Sequence, residues 1–365
     1  MGFKCAIVGL PNVGKSTLFN ALTQTASAAA ENYPFCTIEP NVGEVPVPEP
    51  RLPIIAKIGG SKEQIPARMN FVDIAGLVRG ASKGEGLGNQ FLSNIRETDA
   101  IAYVLRCFDD DDVTHVDGKI DPLADLETVQ TELMMADMES LEKRTPALQK
   151  KAKNGDKEAI LTLKMIGLAM AELNEGRPAR CAEIDKDDRQ AWRMLQLLTA
   201  KPILYVANVD EDSAATGNAY SDAVFAHAKA EGAQAVVISA QIESEIALLD
   251  DAERVDYLEA LGLEEPGLNR LIQTGYKLLG LETYFTVGPK EARAWTFHEG
   301  WTAPRCAGVI HTDFERGFIR AETTAYADFV EYGGEQGAKE AGKTRQEGKT
   351  YIVQDGDIMH FKFNV

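Results

Sequence analysis

The chain is predicted to be an α/β protein built on a parallel, doubly wound sheet, and three observations carry that reading. Gly9-Leu10-Pro11-Asn12-Val13-Gly14-Lys15-Ser16 matches G-x-x-x-x-G-K-[ST], the phosphate-binding loop. An apolar strand at 3–8 precedes it and a helix opens at Thr17. Further strand-like runs lie at 71–74, 101–107, 203–207 and 236–238, with helical patterns between them, as a doubly wound sheet requires.

The phosphate-binding loop joins its strand to its helix for a chemical reason. Gly9 and Gly14 let backbone N–H groups close around a polyphosphate, and the helix N-terminus adds its positive dipole end. Asn12, Val13, Gly14, Lys15, Ser16 and Thr17 are therefore the candidate phosphate contacts. Lys15 is placed to neutralise the β- and γ-phosphates, and the Ser16 hydroxyl to hold Mg²⁺. Asn12 is a candidate ligand for a monovalent cation such as K⁺, standing in for an arginine finger.

The next elements separate a switch NTPase from a kinase. Asp73-Ile74-Ala75-Gly76 closes the second strand, where an Asp meets the Mg²⁺ shell and a Gly N–H senses the γ-phosphate. Thr37 lies between the two motifs and is placed to complete Mg²⁺ coordination, so the candidate metal ligands are Ser16, Thr37 and Asp73. Leu77 follows Gly76 where regulatory GTPases place a water-orienting glutamine. Hydrolysis is then either very slow or served by another group. His115, beyond the third strand, is the candidate for that work, with Lys15 as the second catalytic residue. Cys36, beside Thr37, reads as an unremarkable loop thiol.

Asn208-Val209-Asp210-Glu211 ends the fourth strand, where guanine-specific proteins carry N-K-x-D. Val209 replaces the Lys and Glu211 the Asp, and the longer carboxylate arm cannot make the same paired contact to guanine. With Ser239-Ala240 as the second base-contacting turn, this segment favours adenine or relaxed choice over strict guanine recognition.

Between the third and fourth strands the chain turns helical, from about 125 to 199. Leu126, Val129, Leu133, Met138 and Leu141 recur at helical spacing, as do Ile160, Leu163, Ile166 and Leu173. Asn154-Gly155-Asp156 separates them as the turn of an αα-hairpin. Pro146 is expected to kink or interrupt the first helix. Lys143, Arg144, Lys150, Lys151 and Lys153 cluster near the tip, a solvated face or a contact to RNA or a partner. Residues 200–279 return to the nucleotide-binding region, and 280–365 read as a small mixed-β domain. Strands are expected there at 292–297 and 308–310, with a closing hairpin turning at Asp355-Gly356.

Composition bounds the partners. With 365 residues, 44% hydrophobic and 26% charged, the chain has room for two or three domains. A net charge of −18 argues against coating nucleic acid by bulk electrostatics, so no DNA partner is expected, and any RNA contact must be a local patch. Five dispersed cysteines without a C-x-x-C pair fit reduced thiols in a cytoplasm. No signal peptide and no membrane contact are expected, because the chain enters a strand at once and lacks a span-length apolar run.

Taken together, these strings resemble one family. The segments 9–17, 32–41, 71–78 and 80–89, with His311-Thr312-Asp313-Phe314-Glu315-Arg316-Gly317-Phe318, look like the YchF subfamily of Obg-like P-loop NTPases, over essentially the whole chain. The resemblance implies an Obg-type G domain (1–124 and 200–279), a helical-hairpin insertion (125–199) and a C-terminal, β-grasp-like TGS domain (280–365). It also implies ATP preferred over GTP, Mg²⁺ at Ser16 and Thr37, and His115 compensating for Leu77. Its expected partner is the ribosome, through ribosomal RNA or proteins, in translation and stress adaptation.

Overall fold

The computed structural model describes residues 3–30, 42–74, 87–109 and 120–364. Its strands are β1 (Lys4–Val8), β2 (Val42–Pro46), β3 (Glu63–Ile65), β4 (Arg68–Asp73), β5 (Ala100–Cys107), β6 (Ile203–Val209), β7 (Gln234–Ile238), β8 (Leu281–Val287), β9 (Glu291–His298), β10 (Phe318–Thr324), β11 (Arg345–Glu347) and β12 (Ile358–Phe363). They form two sheets, in orders β2-β4-β1-β5-β6-β7 and β11-β10-β12-β8-β9-β3. Two compact units result: 3–43 with 70–271, and 44–69 with 272–365.

In the first unit β4, β1, β5, β6 and β7 run parallel. Every residue of β5 and β6 is buried, which is why those strands read as unbroken apolar runs and not as alternating ones. Ile7 pairs with Asp73, Val8 with Tyr103, Cys107 with Val209 and Asn208 with Ile238, so the strand ends that carry the sequence motifs share one edge. The strand order reverses beside β1, and open α/β sheets bind ligands in the crevice at such a point.

The helical hairpin consists of Pro122–Lys153 and Lys157–Asn174. Asp121 and Asp156 cap them, accepting from the N–H groups of Ala124 at 3.2 Å and Ala159 at 3.1 Å. Leu141, Met165, Ile166, Ala169 and Leu173 pack between them. The first helix continues through Pro146, contrary to the expected interruption. The Thr145 hydroxyl donates to the Leu141 carbonyl at 2.8 Å, adding a side-chain bond in the turn the proline weakens. Asp137, fully buried, fastens the hairpin to the body. One carboxylate oxygen accepts from the Leu198 N–H at 2.9 Å, the other from the Thr199 N–H and hydroxyl, both at 2.8 Å.

The second unit is built on the other sheet, around Tyr284, Phe297, Cys306, Phe318 and Phe361. Two expectations fail here. Residues 308–310 end the helix Ala303–Ile310, which starts with a proline in its first turn. Asp355-Gly356 does not turn a hairpin: β12 pairs antiparallel with β10 and parallel with β8, and Ile352 makes only an isolated bridge to Thr302. The Asp355 carboxylate instead accepts from the Thr283 N–H at 2.9 Å, and Gly356 donates to the Thr283 carbonyl at 2.7 Å.

Residues 44–69, read from sequence as part of the nucleotide-binding region, group with this unit. β3 pairs parallel with β9, and Arg51 bridges Glu49 and Asp355, each at 2.6 Å, while lying over the Phe285 ring. Among the described residues, no helix is long and apolar enough to cross a membrane. The four described cysteines are free thiols.

Replacing Asp137 by Ala should cost about 3 kcal/mol of stability, because it strands two buried backbone donors and a hydroxyl. Urea unfolding of the Asp137→Ala variant against the parent protein measures this directly.

Candidate functional site

The phosphate-binding loop leaves β1 and enters the helix Lys15–Ala30, whose first turn closes with the Leu18 N–H on the Gly14 carbonyl at 2.9 Å. Asn12 has φ +61° and Gly14 φ +93°. Asn tolerates the left-handed region, whereas Gly14 is required twice over. A Cβ there would sit 2.2 Å from the Asn208 amide nitrogen. At Gly9 a Cβ would come within 2.5 Å of the Val104 carbonyl oxygen, so the loop can lie flat on the sheet edge only with glycine.

Asn208 is buried and bonded on both sides. Its amide nitrogen donates to the Val13 carbonyl at 2.9 Å, and its carbonyl oxygen accepts from the Ala240 N–H at 2.9 Å. One side chain thereby fixes the phosphate-binding loop, the end of β6 and the start of the helix Ala240–Ile246 relative to one another. Around them lies a cavity of about 630 Å³, lined by Asn12, Gly14, Thr17, Asn208, Val209, Glu211 and Ala240 together with Phe108, Asp109, Asp210, Asp212 and Gln241. That volume is in the range of small-ligand sites.

Lys15 is buried, its ammonium donating to the Leu10 carbonyl at 2.5 Å. Burial pushes its pKa down to about 8, and the negative charge of Asp73 opposes that shift. Burial in turn raises the Asp73 carboxyl above its ordinary range, with the Lys15 charge pulling it back. One Asp73 oxygen is buried without a partner. Ser16 and Thr17 are exposed at the first helical turn, and the Ser239 hydroxyl is buried and unpartnered. Seven of the sequence-proposed nucleotide contacts thus line one cavity, and Val13, Lys15, Ser16 and Ser239 adjoin them along the chain. Thr37 and His115, with Cys36, Gly76 and Leu77, lie outside the described residues.

Sequence reasoning missed Arg106, Phe108 and Glu243. Arg106 is 2% exposed near the end of the apolar strand β5, a signal that was there to find. Its Nε donates to the Phe108 carbonyl at 3.1 Å, and its guanidinium lies 4.8 Å from the centre of the Phe108 ring, which walls the cavity. Glu243 is 2% exposed, one turn beyond Ala240, and accepts from the Gly267 N–H at 2.7 Å. Its second oxygen is buried with no partner. Burial pushes this carboxyl up to about 7, against the backbone N–H groups of Gly267 and Leu268 and the Arg270 charge. No periodicity marks such a residue, since an acid on an amphipathic helix reads as exposed.

Two family models match the chain. One, described as a 50S ribosome-binding GTPase, covers residues 4–139. The other, the YchF-GTPase C-terminal model described as a protein of unknown function (DUF933), covers residues 281–364. Proteins named ribosome-binding ATPase YchF are similar over the full length of both chains: that of Haemophilus influenzae is 60% identical, that of Escherichia coli O157:H7 56% and that of Bacillus subtilis 54%. Among solved structures, that of the Schizosaccharomyces pombe YchF GTPase has a TM-score of 0.88 at 36% identity, covering 99% of this chain and 98% of that one.

The raised Glu243 carboxyl makes stability depend on pH in a defined direction. A folded-state pKa of about 7, above the unfolded 4.5, contributes stability present below pH 4.5 and lost as pH rises through 7. Glu243→Gln keeps the acceptor for Gly267 and removes the charge. The variant should match the parent protein below about pH 4 and exceed it by roughly 3 kcal/mol at pH 8 in denaturant titrations, from 1.36 kcal/mol per pKa unit.

Proposed function

This chain belongs to the YchF subfamily of Obg-like P-loop NTPases, and from that premise we propose that it is an ATP-hydrolysing switch whose nucleotide state sets its affinity for the ribosome in the cytoplasm. The observation that carries the reading is one cavity of about 630 Å³ whose lining includes both Gly14 and Thr17 of the phosphate-binding loop and Val209, Glu211 and Ala240 of the base segments. The relatives at 54–60% identity are named ATPases, whereas the solved neighbour is named a GTPase. The residues at the base end favour the former. Val209, where guanine-specific proteins carry Lys, is 2% exposed, and Glu211 stands where they carry Asp. A guanine would lose its paired acceptor, and losing a buried polar pair is what discriminates most strongly between bases.

NTPases of this family work with a divalent metal ion. The unpartnered Asp73 oxygen and the exposed Ser16 hydroxyl are hard oxygen donors that suit Mg²⁺, with Thr37 proposed as the third ligand. When bound, Mg²⁺ supplies charge neutralisation to the β- and γ-phosphates. The protein's own groups do the rest. Lys15 turns its ammonium from the Leu10 carbonyl to the phosphates, regaining in full the charge that burial weakens. The backbone N–H groups of 13–17 cradle the phosphate oxygens, and Asn12 is the proposed K⁺ ligand. His115 is proposed to hold the attacking water in place of a glutamine at Leu77. Without an arginine finger, intrinsic turnover should fall at about 10⁻⁴–10⁻² s⁻¹, the rate of a timer and not of a metabolic enzyme. Residues 280–365 are proposed to be the TGS domain, and 281–365 carry 10 basic against 13 acidic side chains, about −3 of the −18.

Co-sedimentation with ribosomes should differ between ATP, a non-hydrolysable analogue and ADP, and competing titrations should favour ATP over GTP. Equal pelleting in all three states would remove the switch, and tenfold tighter GTP binding would overturn the base assignment. His115→Ala should lower turnover about 100-fold while leaving ATP affinity within a factor of three. Unchanged turnover in that variant assigns the water to another group.

A further inference from the structure

The second unit holds a cluster that the nucleotide chemistry does not use. Glu322 on β10 stands directly opposite His360 on β12, and Glu335 opens the short helix Glu335–Glu340 beside them. One ligand atom from each of the three lies within 4.8 Å of the others. From this geometry we propose a divalent transition-metal site, for Zn²⁺, formed by the imidazole of His360 and the carboxylates of Glu322 and Glu335.

Two further observations bear on the proposal. Gln346, opposite Glu322 on β11, donates to one Glu322 oxygen at 3.2 Å, which leaves the other to face the cluster. An outer partner of this kind orients a metal-binding carboxylate. Lys362, two residues beyond His360 on the same face, places its ammonium 3.3 Å from the His360 Nε2 and 3.8 Å from a Glu322 oxygen. An ammonium has no lone pair, so in this contact Nε2 is the acceptor and its lone pair is turned to Lys362.

Lys362 is thus an internal cation standing between the nitrogen and an oxygen of the set, and an entering metal displaces it. Ligands 2.0–2.2 Å from a tetrahedral ion lie about 3.3–3.6 Å apart, so the three need close by little more than about 1 Å. Rotation of exposed glutamate and histidine side chains supplies that movement. One nitrogen with two carboxylates fits Zn²⁺ better than Mg²⁺ or Ca²⁺, which take oxygen shells, and the lack of a thiolate excludes a Cu(I) site. Three protein ligands leave the remaining positions to water, the pattern of an open site.

The test uses the full-length, nucleotide-free protein after EDTA dialysis, with Co²⁺ followed by its visible absorption and Zn²⁺ by calorimetry. One saturable equivalent is expected. His360→Ala and Glu335→Gln should each weaken it about tenfold or more, while Lys362→Met should tighten it several-fold by removing the competing cation. ATP binding should be unchanged in all three variants. Titrations of His360→Ala and Lys362→Met that overlay the parent protein would overturn the site. So would a thiolate-to-cobalt charge-transfer band, which assigns the ion to a cysteine such as the exposed Cys181.

Discussion

The Asn208 amide uses its donor on the Val13 carbonyl and its acceptor on the Ala240 N–H, and the geometry of the nucleotide site follows from those two bonds. Neither can be replaced by water, because the side chain is 3% exposed. The bond to Val13 holds the phosphate-binding loop against the end of β6, close enough that residue 14 can have no Cβ. The bond to Ala240 holds the helix Ala240–Ile246 from the front, while Glu243, one turn on, fixes it from behind through the Gly267 N–H. The loop, the base-contacting strand and the second base-contacting turn therefore form one rigid body before any nucleotide enters. Such pre-organisation is where affinity for a phosphate ligand comes from, since ordering the loop at binding would cost entropy.

Electrostatics favours the triphosphate for a related reason. Lys15 is buried with only a carbonyl and the distant charge of Asp73 for company, and its lowered pKa expresses that discomfort. A polyphosphate supplies the missing counter-charge and restores the full ammonium. The cavity lining also carries Asp109, Asp210, Glu211 and Asp212, which would repel a phosphate placed against them. The ligand's orientation is thus set by charge along the cavity as well as by shape.

Much of this was legible because the informative residues are contiguous. The phosphate-binding loop is eight residues in a row, and its strand and helix are read from the flanking pattern. Asn208 to Glu211 could be placed because a parallel strand buried on both faces announces its own end. What escaped depends on contacts far apart in sequence. Residues 44–69 group with the second unit through pairings such as Arg51 with Asp355, separated by 304 positions. The expected hairpin at Asp355-Gly356 was a turn signal captured by β8, whose Thr283 takes both the Asp355 carboxylate and the Gly356 N–H. Pro146 was read by its local penalty, and a helix of 32 residues packed along its partner absorbs a cost of about 3 kcal/mol. Glu243 was invisible for the opposite reason: nothing local distinguishes a carboxylate that a later segment will cover.

The departures from the guanine-recognition pattern gain meaning from where the structure puts them. Val209 is not a surface substitution, since it pairs with Cys107 in the sheet and is closed off from solvent. Valine ends the strand there as a plain apolar wall, without the stem and charge of a lysine. Asp210 is also occupied, one carboxylate oxygen accepting from the Ser213 N–H at 2.9 Å in a local turn. Glu211 stands at the acceptor position of the motif, on an arm one methylene longer than aspartate. A longer, more mobile acceptor suits a single exocyclic amino group better than the two fixed, adjacent donors of guanine, because pairing with both requires an arm that is already rigid. The strand end therefore lacks both the lysine and the short carboxylate that the guanine-recognition pattern supplies.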